Sequence, residues 1–436
     1  MKKLLLTFVS IASIFLANFT QAQDKSAVQT DDFKPLGNFW GYMFSDYYYK
    51  THADSLNRGG GNVQYAGVPA HFGAFQIRRA FLGYDFDMSK TFSTHMVLAD
   101  ESGPSLTTSK TDLTAGSGNN TFCLKLMYLK WADIFKGSDL LFGQMLTPSF
   151  CSNSTEQLYG YRSIERTIMD MHAIDNACDF GVSLKGNLWA QQITKDSLMP
   201  TFIGYQVLLG NYSSSKPETD KFKKIRGNLF LSTLQQKLVV GLYADFNQTQ
   251  LNPINVSNTT FKVYADYKME WMNIGMEAFE QINKNDDNIK TIKNVNGKGG
   301  VKDSTYANGV QTGISVFLNG RIIPKKLNYM LRVDMYNPDT KYNKNDTYEV
   351  SNTGGNMTTT TFYKQTFYTI GLDYTPMPRV HIMPNLWINQ YSAMMDHVAG
   401  KALGTKAKND YDSVARITVY YIFSTSKKVA NNGMDN

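Results

Sequence analysis

The sequence predicts an all-β protein, namely a transmembrane antiparallel up-and-down β-barrel of about 16 strands. Segments of alternating apolar and polar residues, each about ten residues long, recur along the chain. The connections between these segments alternate between long and short for most of the length. An even number of strands closes such a sheet without an unpaired edge, which a lipid bilayer requires. We therefore expect long extracellular loops at one rim and short periplasmic turns at the other.

The alternating segments can be placed to within a few residues. They begin near Phe39, Phe75, Thr91, Phe122, Asp139, Asp179, Phe202, Lys224, Lys237, Phe261, Asn273, Gly309, Leu327, Lys364, Arg379 and Ser413. Long polar loops are expected over Lys50–His71, Ser102–Thr121, Thr147–Cys178, Ser213–Lys223, Gln248–Thr260, Asn283–Asn308, Asn337–Phe362 and Ser392–Asp412. Short turns are expected at Ser89–Lys90, Asp133–Ser138, Thr233–Gln236, Met272, Ile322–Lys326 and Thr375–Pro378.

The composition and the two ends of the chain fit this organisation. The 26 Tyr and 26 Phe residues fit aromatic girdles, and a mean hydropathy of −0.33 fits a barrel with a polar lumen. Met1–Lys3, the apolar run Leu4–Phe19 and the small residues at Ala22 predict a signal peptide over residues 1–22. A periplasmic leader over 23–38, a barrel over 39–424 and a periplasmic tail over 425–436 follow. The expected location is a bacterial outer membrane.

Three cysteines occur in this exported chain, so one thiol remains whichever two pair. Cys151 and Cys178 bracket the longest loop, and a disulfide bond between them would stiffen it. The alternative is that all three are isolated small apolar residues. No spacing of these residues suggests a zinc site.

Alternation within each strand separates residues that face lipid from residues that face the lumen. In the tenth segment, Phe261, Val263 and Ala265 alternate with Lys262 and Asp266. Charged residues on the lipid face cost about 2–4 kcal/mol near the membrane midplane, so the polar set must face inward. The positively charged lumen candidates are Arg79, Lys125, Lys185, Lys224, Arg226, Lys237, Lys262, Lys268, Arg321, Arg332, Arg379 and Arg416.

These cations have two interpretations. Acidic residues such as Asp245, Glu277 and Asp334 share the inward parity, so the charges can pair across strands and stabilise the wall. Alternatively, several cations at one depth would favour anions in the pore. Arg78 and Arg79 cannot both point inward from a regular strand, which predicts either a β-bulge or an Arg78 side chain that extends to the rim.

Motifs in the middle of the chain resemble those of the phosphate-selective porin O/P family. They are the run Gly143–Phe150, the pair Glu165-Arg166, the run Asp179–Val182 and the upstream run Phe75–Ala80. The resemblance implies a sixteen-stranded porin, commonly trimeric, whose third long loop, here Pro148–Cys178, folds into the lumen and narrows it. The layout and the signal end are also similar to those of Bacteroidetes-type outer-membrane proteins.

On this mapping the loop presents charged residues to the permeating solute, and Glu165-Arg166 matches the family's pair. The alternative is that these residues pin the loop to the wall by ion pairs. The loop residues concerned are Arg162, Glu165, Arg166, Asp170, His172 and Asp175. The sequence departs from the phosphate-specific members because it shows no dense arginine ladder with a lysine cluster.

The resulting hypothesis is a homotrimeric outer-membrane porin, surrounded by lipid, that passes small hydrophilic solutes with a preference for anions, phosphate among them. One alternative is a general or sugar-conducting pore, with Tyr264, Tyr420 and Trp387 as stacking surfaces. Another is a barrel that anchors a surface binding loop such as Asn352–Thr361. Catalysis is not expected, because none of the six histidines accompanies a nucleophile motif. No cofactor, metal or nucleic-acid partner is expected.

Overall fold

The wall of the protein consists of sixteen long strands within the part of the chain that the structure, a computed structural model, describes. The described residues are 33–55, 65, 67–101, 121–151, 153–190, 201–214, 216–218, 220–251, 254–294, 302–341, 348–349, 363–393, 397–398, 401–402 and 409–425. The predicted signal peptide, most of the leader, nearly all of the tail and the loop Asn352–Thr361 lie outside them. The barrel belongs to a unit that begins at Leu36.

The strands are numbered in chain order. They are β1 Leu36–His52, β2 Gly73–Asp87, β3 Phe92–Asp100, β4 Cys123–Phe135, β5 Ser138–Leu146, β6 Cys178–Ala190, β7 Phe202–Gly210, β8 Lys224–Thr233, β9 Leu238–Leu251, β10 Ile254–Lys268, β11 Met272–Asn294, β12 Lys302–Ile323, β13 Leu327–Asn337, β14 Tyr363–Met377, β15 Val380–Ala393 and β16 Asp410–Ser424. Three two-residue strands lie in the loops, at Tyr348–Glu349, His397–Val398 and Lys401–Ala402.

The sheet is antiparallel throughout and closes on itself. Each strand pairs with its neighbours in sequence, and β1 pairs with β16 from Trp40 opposite Ser424 to His52 opposite Ser413. Closure satisfies the backbone donors and acceptors of both terminal strands within the sheet. The predicted fold class, a sixteen-stranded up-and-down barrel, is confirmed.

Most strands begin within a few residues of the predicted positions, but β10 and β12 begin well before them. Strand β10 begins at Ile254 rather than Phe261, and β12 at Lys302 rather than Gly309. Strand β11 also continues to Asn294, through a stretch predicted as loop. The sequence of these regions is mostly polar and has no regular alternation of apolar residues, so it gives no periodic signal of the backbone pairing.

The outer surface of the barrel is apolar, as the alternation predicts. On β10, Phe261 and Val263 are 53% and 50% exposed, whereas Lys262 and Asp266 are 4% and 1% exposed. The other strands with clear alternation, β8, β13 and β16, follow the same rule. The predicted division between lipid-facing and inward-facing residues is therefore confirmed. No helix in the described ranges has the length and apolar character of a membrane span.

A β-bulge resolves the Arg78-Arg79 ambiguity. Opposite β2, Phe44 pairs with Arg79 and Ser45 pairs with Ile77, so the register shifts by one residue at Arg78. An extra residue in one strand lets two consecutive side chains point to the same face. Both arginines enter the barrel as a result, and the predicted bulge is confirmed.

Candidate functional site: a folded loop inside a charged barrel

The segment between β5 and β6, residues 147–177, folds into the barrel, as the resemblance implies; we call it the constriction loop. It contains two short helices, α1 Thr155–Tyr159 and α2 Ile168–Met171. Gly160 ends α1 with a φ of 75°, a conformation that glycine adopts without strain. Two asparagines of the wall donate hydrogen bonds to the last carbonyls of α1: Asn273 to Leu158 O and Asn319 to Tyr159 O, both at 3.3 Å.

The first helix buries an apolar face against the inside of the wall. Leu158, Tyr159 and Ile164 share a hydrophobic cluster with inward-facing residues of eight strands. The strand residues are Phe44, Phe230, Val239, Tyr264, Phe317, Met330, Met383, Tyr420 and Ile422. Some of these rings lie against glycines of the neighbouring strand. A Cβ added to Gly241 would lie 2.1 Å from the Tyr264 ring, and one at Gly275 would lie 2.0 Å from that of Phe317. Glycine at these positions makes room for the wall rings against which the loop packs.

Three wall arginines donate hydrogen bonds to the backbone carbonyls of one stretch of the loop, Ser163–Arg166. Arg78 donates to Ser163 O and, at 2.9 Å, to Ile164 O. Arg416 donates to Ile164 O at 2.9 Å, and Arg332 to Arg166 O at 2.6 Å. Because these arginines come from β2, β13 and β16, they fix the stretch from several sides. We call them the arginine collar.

Buried carboxylates balance the charge of the arginine collar. Asp46 accepts hydrogen bonds from Arg78 at 2.7 Å, and Asp334 does so from Arg332 at 2.9 Å. Glu165 of the loop accepts one from Trp387 Nε1 at 2.8 Å. Burial raises the pKa of Glu165, but Arg166, Arg416 and Arg78 lower it more, so the net shift is downward. Glu165 therefore carries its charge in the buried interior of the barrel.

The end of the constriction loop is held by a second buried network around Asp175. Lys224 Nζ and Arg226 Nε both lie 3.0 Å from Asp175 Oδ1, and the Tyr243 hydroxyl donates to Oδ2 at 2.9 Å. Arg226 also binds Asp179 at 2.7 Å. The side chains of Asp175, Lys224, Arg226 and Asp179 are 0% exposed. Burial raises the pKa of Asp175, but Arg226 and Lys224 hold it well below its usual range.

A different set of charged side chains is mostly accessible to water; we call it the constriction cluster. Its members come from β2, the residue after β3, β4 and the constriction loop. They are Arg79, Glu101, Lys125, Glu156, Arg162, Arg166 and Asp170. Glu156 is buried, with 9% of its side chain exposed, and the other six are partly exposed.

Ion pairs connect the members of the constriction cluster. Arg162 lies 2.5 Å from Glu156 and 2.7 Å from Asp170, and its Nη2 lies 3.8 Å from Glu101. Lys125 Nζ lies 2.5 Å from Glu101. Burial raises the pKa of Glu101, but Arg79, Lys125 and Arg162 lower it to about 2. Glu101 is therefore ionised at every physiological pH.

Glu156 and Asp170 both pair with Arg162, but their pKa values are shifted in opposite directions. Burial, and then the charge of Asp170, raise the pKa of Glu156 above its usual value despite Arg162. Burial also raises the pKa of Asp170, but the opposite effect of Arg162, Arg166 and Arg79 is larger, so the pKa lies below its usual value. Glu156 is thus the member of this pair that takes up a proton first. The nearby His172, stacked on Tyr336 with 3.6 Å between ring centroids, has a pKa lowered to about 3 by burial, Arg166 and Arg332.

A vestibule of about 1090 Å³ opens below the constriction loop, at the end of the barrel that carries the short turns. The underside of α1, with Leu158–Tyr161, forms part of its lining. The turns between β10 and β11, β12 and β13, and β14 and β15 supply most of the rest. Basic residues outnumber acidic ones there, since Lys268, Arg321, Lys325, Lys326 and Arg379 face Glu270 and Asp373.

The structure sorts the predicted site residues into two groups. Six of them lie inside the barrel and are buried against the constriction loop or its supports: Glu165, Lys224, Arg226, Lys262, Arg332 and Arg416. Partly accessible are Arg79, Arg162, Arg166, Lys185 and Lys268, the last in the vestibule. The first group does not border open water, because the loop occupies the space that parity alone assigns to the lumen. Its contacts are those of the alternative interpretation, in which ion pairs pin the loop.

Glu101 and Glu156 were not predicted as site residues from the sequence. Glu101 follows the last residue of β3, where alternation ends and parity no longer assigns a face. The aromatic residues proposed for sugar stacking, Tyr264, Tyr420 and Trp387, are all buried in packing clusters. They therefore present no surface to a permeating sugar.

The hypothesised disulfide bond is absent: Cys151 and Cys178 are not joined. Cys151 Sγ lies 3.8 Å from Asn228 Nδ2, and Cys178 Sγ lies 3.9 Å from Gln144 Nε2. The constriction loop is instead fixed by its ion pairs and apolar face, so the bond was not needed to order it. Among the described residues, no group of three or more His, Cys, Asp and Glu side chains could hold a metal ion.

Comparisons with known proteins rest on structure, since no protein-family model and no curated protein matches the sequence. The anion-selective porin from Comamonas acidovorans has 9% identity and a TM-score of 0.52, over 89% of this chain and 100% of that one. The outer membrane channel DcaP of Acinetobacter baumannii has 12% identity and a TM-score of 0.55, over 90% and 99%. The chain has the fold of an outer-membrane porin. This porin-like barrel, with its apolar outer belt, resides in the bacterial outer membrane.

Proposed function

We propose that this porin-like protein is a passive diffusion channel for small hydrophilic solutes with a weak preference for anions. The observation that carries the proposal is the constriction cluster, a partly exposed set of charges between the wall and a loop folded inside a closed barrel. Its four cations, Arg79, Lys125, Arg162 and Arg166, outnumber its three carboxylates. The basic vestibule extends the same sign of charge toward the periplasm. A local excess of positive charge lowers the barrier for anions.

The solute path would run beside the constriction loop rather than through its buried supports. Solutes would pass Arg79, Arg162, Arg166 and Lys125, then enter the vestibule near Lys268. Phosphate is one candidate anion, suggested only by the family resemblance. The same resemblance supports a homotrimer, which chemical crosslinking of the detergent-extracted protein would test.

Charge reversal in the constriction cluster is expected to change ion selectivity. Arg166→Glu or Lys125→Glu should lower the anion-to-cation permeability ratio severalfold, because each replaces a cation at the narrow part of the path by an anion. The measurement is the reversal potential of single channels in a planar bilayer under a KCl gradient. Lys223→Glu, in the loop between β7 and β8, is the control with the same charge change. Unchanged selectivity in both cluster variants would contradict the proposed path.

Selectivity should also depend on pH through Glu156. Because its pKa is raised, Glu156 takes up a proton at a pH above the ordinary glutamate value of about 4.3. Asp170 stays ionised there, so the cluster gains positive charge as the pH falls. Reversal potentials recorded from neutral pH downward should show a rising anion preference. Glu156→Gln should show a stronger anion preference than wild type at neutral pH and should lose the rise on acidification; a variant that keeps the rise would assign the effect to another group.

A further inference from the structure

The carboxylate of Glu101 lies among three cations that come from three different parts of the chain. Arg79 of β2 donates to Oε1, Lys125 of β4 lies 2.5 Å from Oε2, and Arg162 of the constriction loop lies 3.8 Å from Oε1. Both oxygens therefore have a cationic partner. Charge-assisted contacts of this kind are the stronger hydrogen bonds in proteins, and they are directional.

This arrangement differs from the buried ion pairs elsewhere in the barrel in one respect. The Glu101 side chain is 24% exposed, whereas the carboxylates of the arginine collar and of the Asp175 network are at most 2% exposed. The three cations around Glu101 are also partly exposed, at 13% for Arg79, 14% for Lys125 and 12% for Arg162, so water reaches them. An anion that arrives there meets a site already filled by the chain's own carboxylate.

We propose that Glu101 is an internal competitor that occupies a carboxylate-binding site in the constriction and thereby sets the weak anion preference of the channel. The site consists of Arg79, Lys125 and Arg162, and its free ligands are small carboxylates. This inference rests on the proposed function. The ligand class follows from the occupant, because the cations are arranged around the two oxygens of a planar carboxylate.

The charge state of Glu101 is consistent with permanent competition. With a pKa of about 2, the side chain keeps its negative charge at any pH at which the bacterium grows. Acidification therefore does not remove the competing charge, whereas substitution does. Glu101→Gln keeps the size of the side chain but removes its charge, so Arg79 and Lys125 lose their carboxylate partner and attract an external anion more strongly.

The test uses the refolded full-length protein in planar bilayers with KCl, to which potassium acetate is added. We expect Glu101→Gln to raise the anion-to-cation permeability ratio. Acetate bound at the site should reduce the chloride current. We expect the acetate concentration that gives half of this reduction to be about tenfold lower in Glu101→Gln than in wild type, a difference of about 1.4 kcal/mol in binding free energy. The double variant with Glu101→Gln and Lys125→Met should lose this sensitivity. Glu218→Gln, an ion-paired loop glutamate, is the matched control.

The outcomes separate this inference from the proposed function. Suppose that wild-type channels prefer anions but that the acetate concentration for half of the reduction in chloride current is the same in Glu101→Gln. This result would overturn only the role of Glu101 as a competitor. A gain for phosphate without a gain for acetate would overturn the carboxylate assignment. Channels without conductance, or with cation preference in the wild type, would instead overturn the proposed function. Heat-dependent migration in gel electrophoresis, as for a folded barrel, confirms that each variant is folded before it is recorded.

Discussion

Replacing Asp175 with asparagine is expected to release the constriction loop and to raise the single-channel conductance. The carboxylate lies between Lys224 and Arg226, all with fully buried side chains. Removing its charge leaves two buried cations with less compensation, and breaking a buried ion pair in this way costs about 3–5 kcal/mol. The hydrogen-bonded wall does not depend on the loop, so the cost falls on docking of the loop. Conductance in planar bilayers and the size limit in liposome swelling both measure the change.

Asp170→Asn is the matched control, because it makes the same chemical change in the same loop. Asp170 is partly exposed and shares Arg162 with Glu156, so its loss leaves no cation buried and alone. We expect this variant to shift ion selectivity with little change in conductance. Wild-type conductance in Asp175→Asn would contradict the anchoring role of the network. A barrel that no longer folds would show that the loop supports the wall itself.

The sequence was sufficient to predict the wall because a bilayer imposes a strict rule on each strand. Phe261 and Val263 could not share a face with Lys262 without placing charge in lipid, so alternation fixed the orientation of β10. The same rule exposed the conflict at Arg78 and Arg79, and a bulge resolves it. Outside the lipid this rule does not apply, so the start of β10 at Ile254, in a mostly polar stretch, was not predicted.

The site was harder to predict because inward parity does not say what a residue meets inside. Glu165 and Arg166 are neighbours in the loop, yet their side chains are 2% and 23% exposed. That difference arises from Trp387 and Arg332, which are more than 160 residues away in sequence. Likewise, nothing near Arg226 in sequence indicates that Asp175 will neutralise it. Long-range packing of the loop decides which lumen charges support the structure and which reach water.

An arginine on the outer face of β10 is expected to destabilise the barrel by an amount that depends on depth. Val263 is 50% exposed and lies well inside the strand, whereas Tyr267 lies on the same face beside the turn after Lys268. Arginine costs about 2–4 kcal/mol at the bilayer midplane and about 0–1 kcal/mol near the interface. The free energy of unfolding in urea, measured in phospholipid vesicles, should therefore fall far more for Val263→Arg than for Tyr267→Arg. Val263→Leu controls for size. Equal losses at the two positions would mean that this face contacts protein rather than lipid, and would direct the search for subunit contacts to β10.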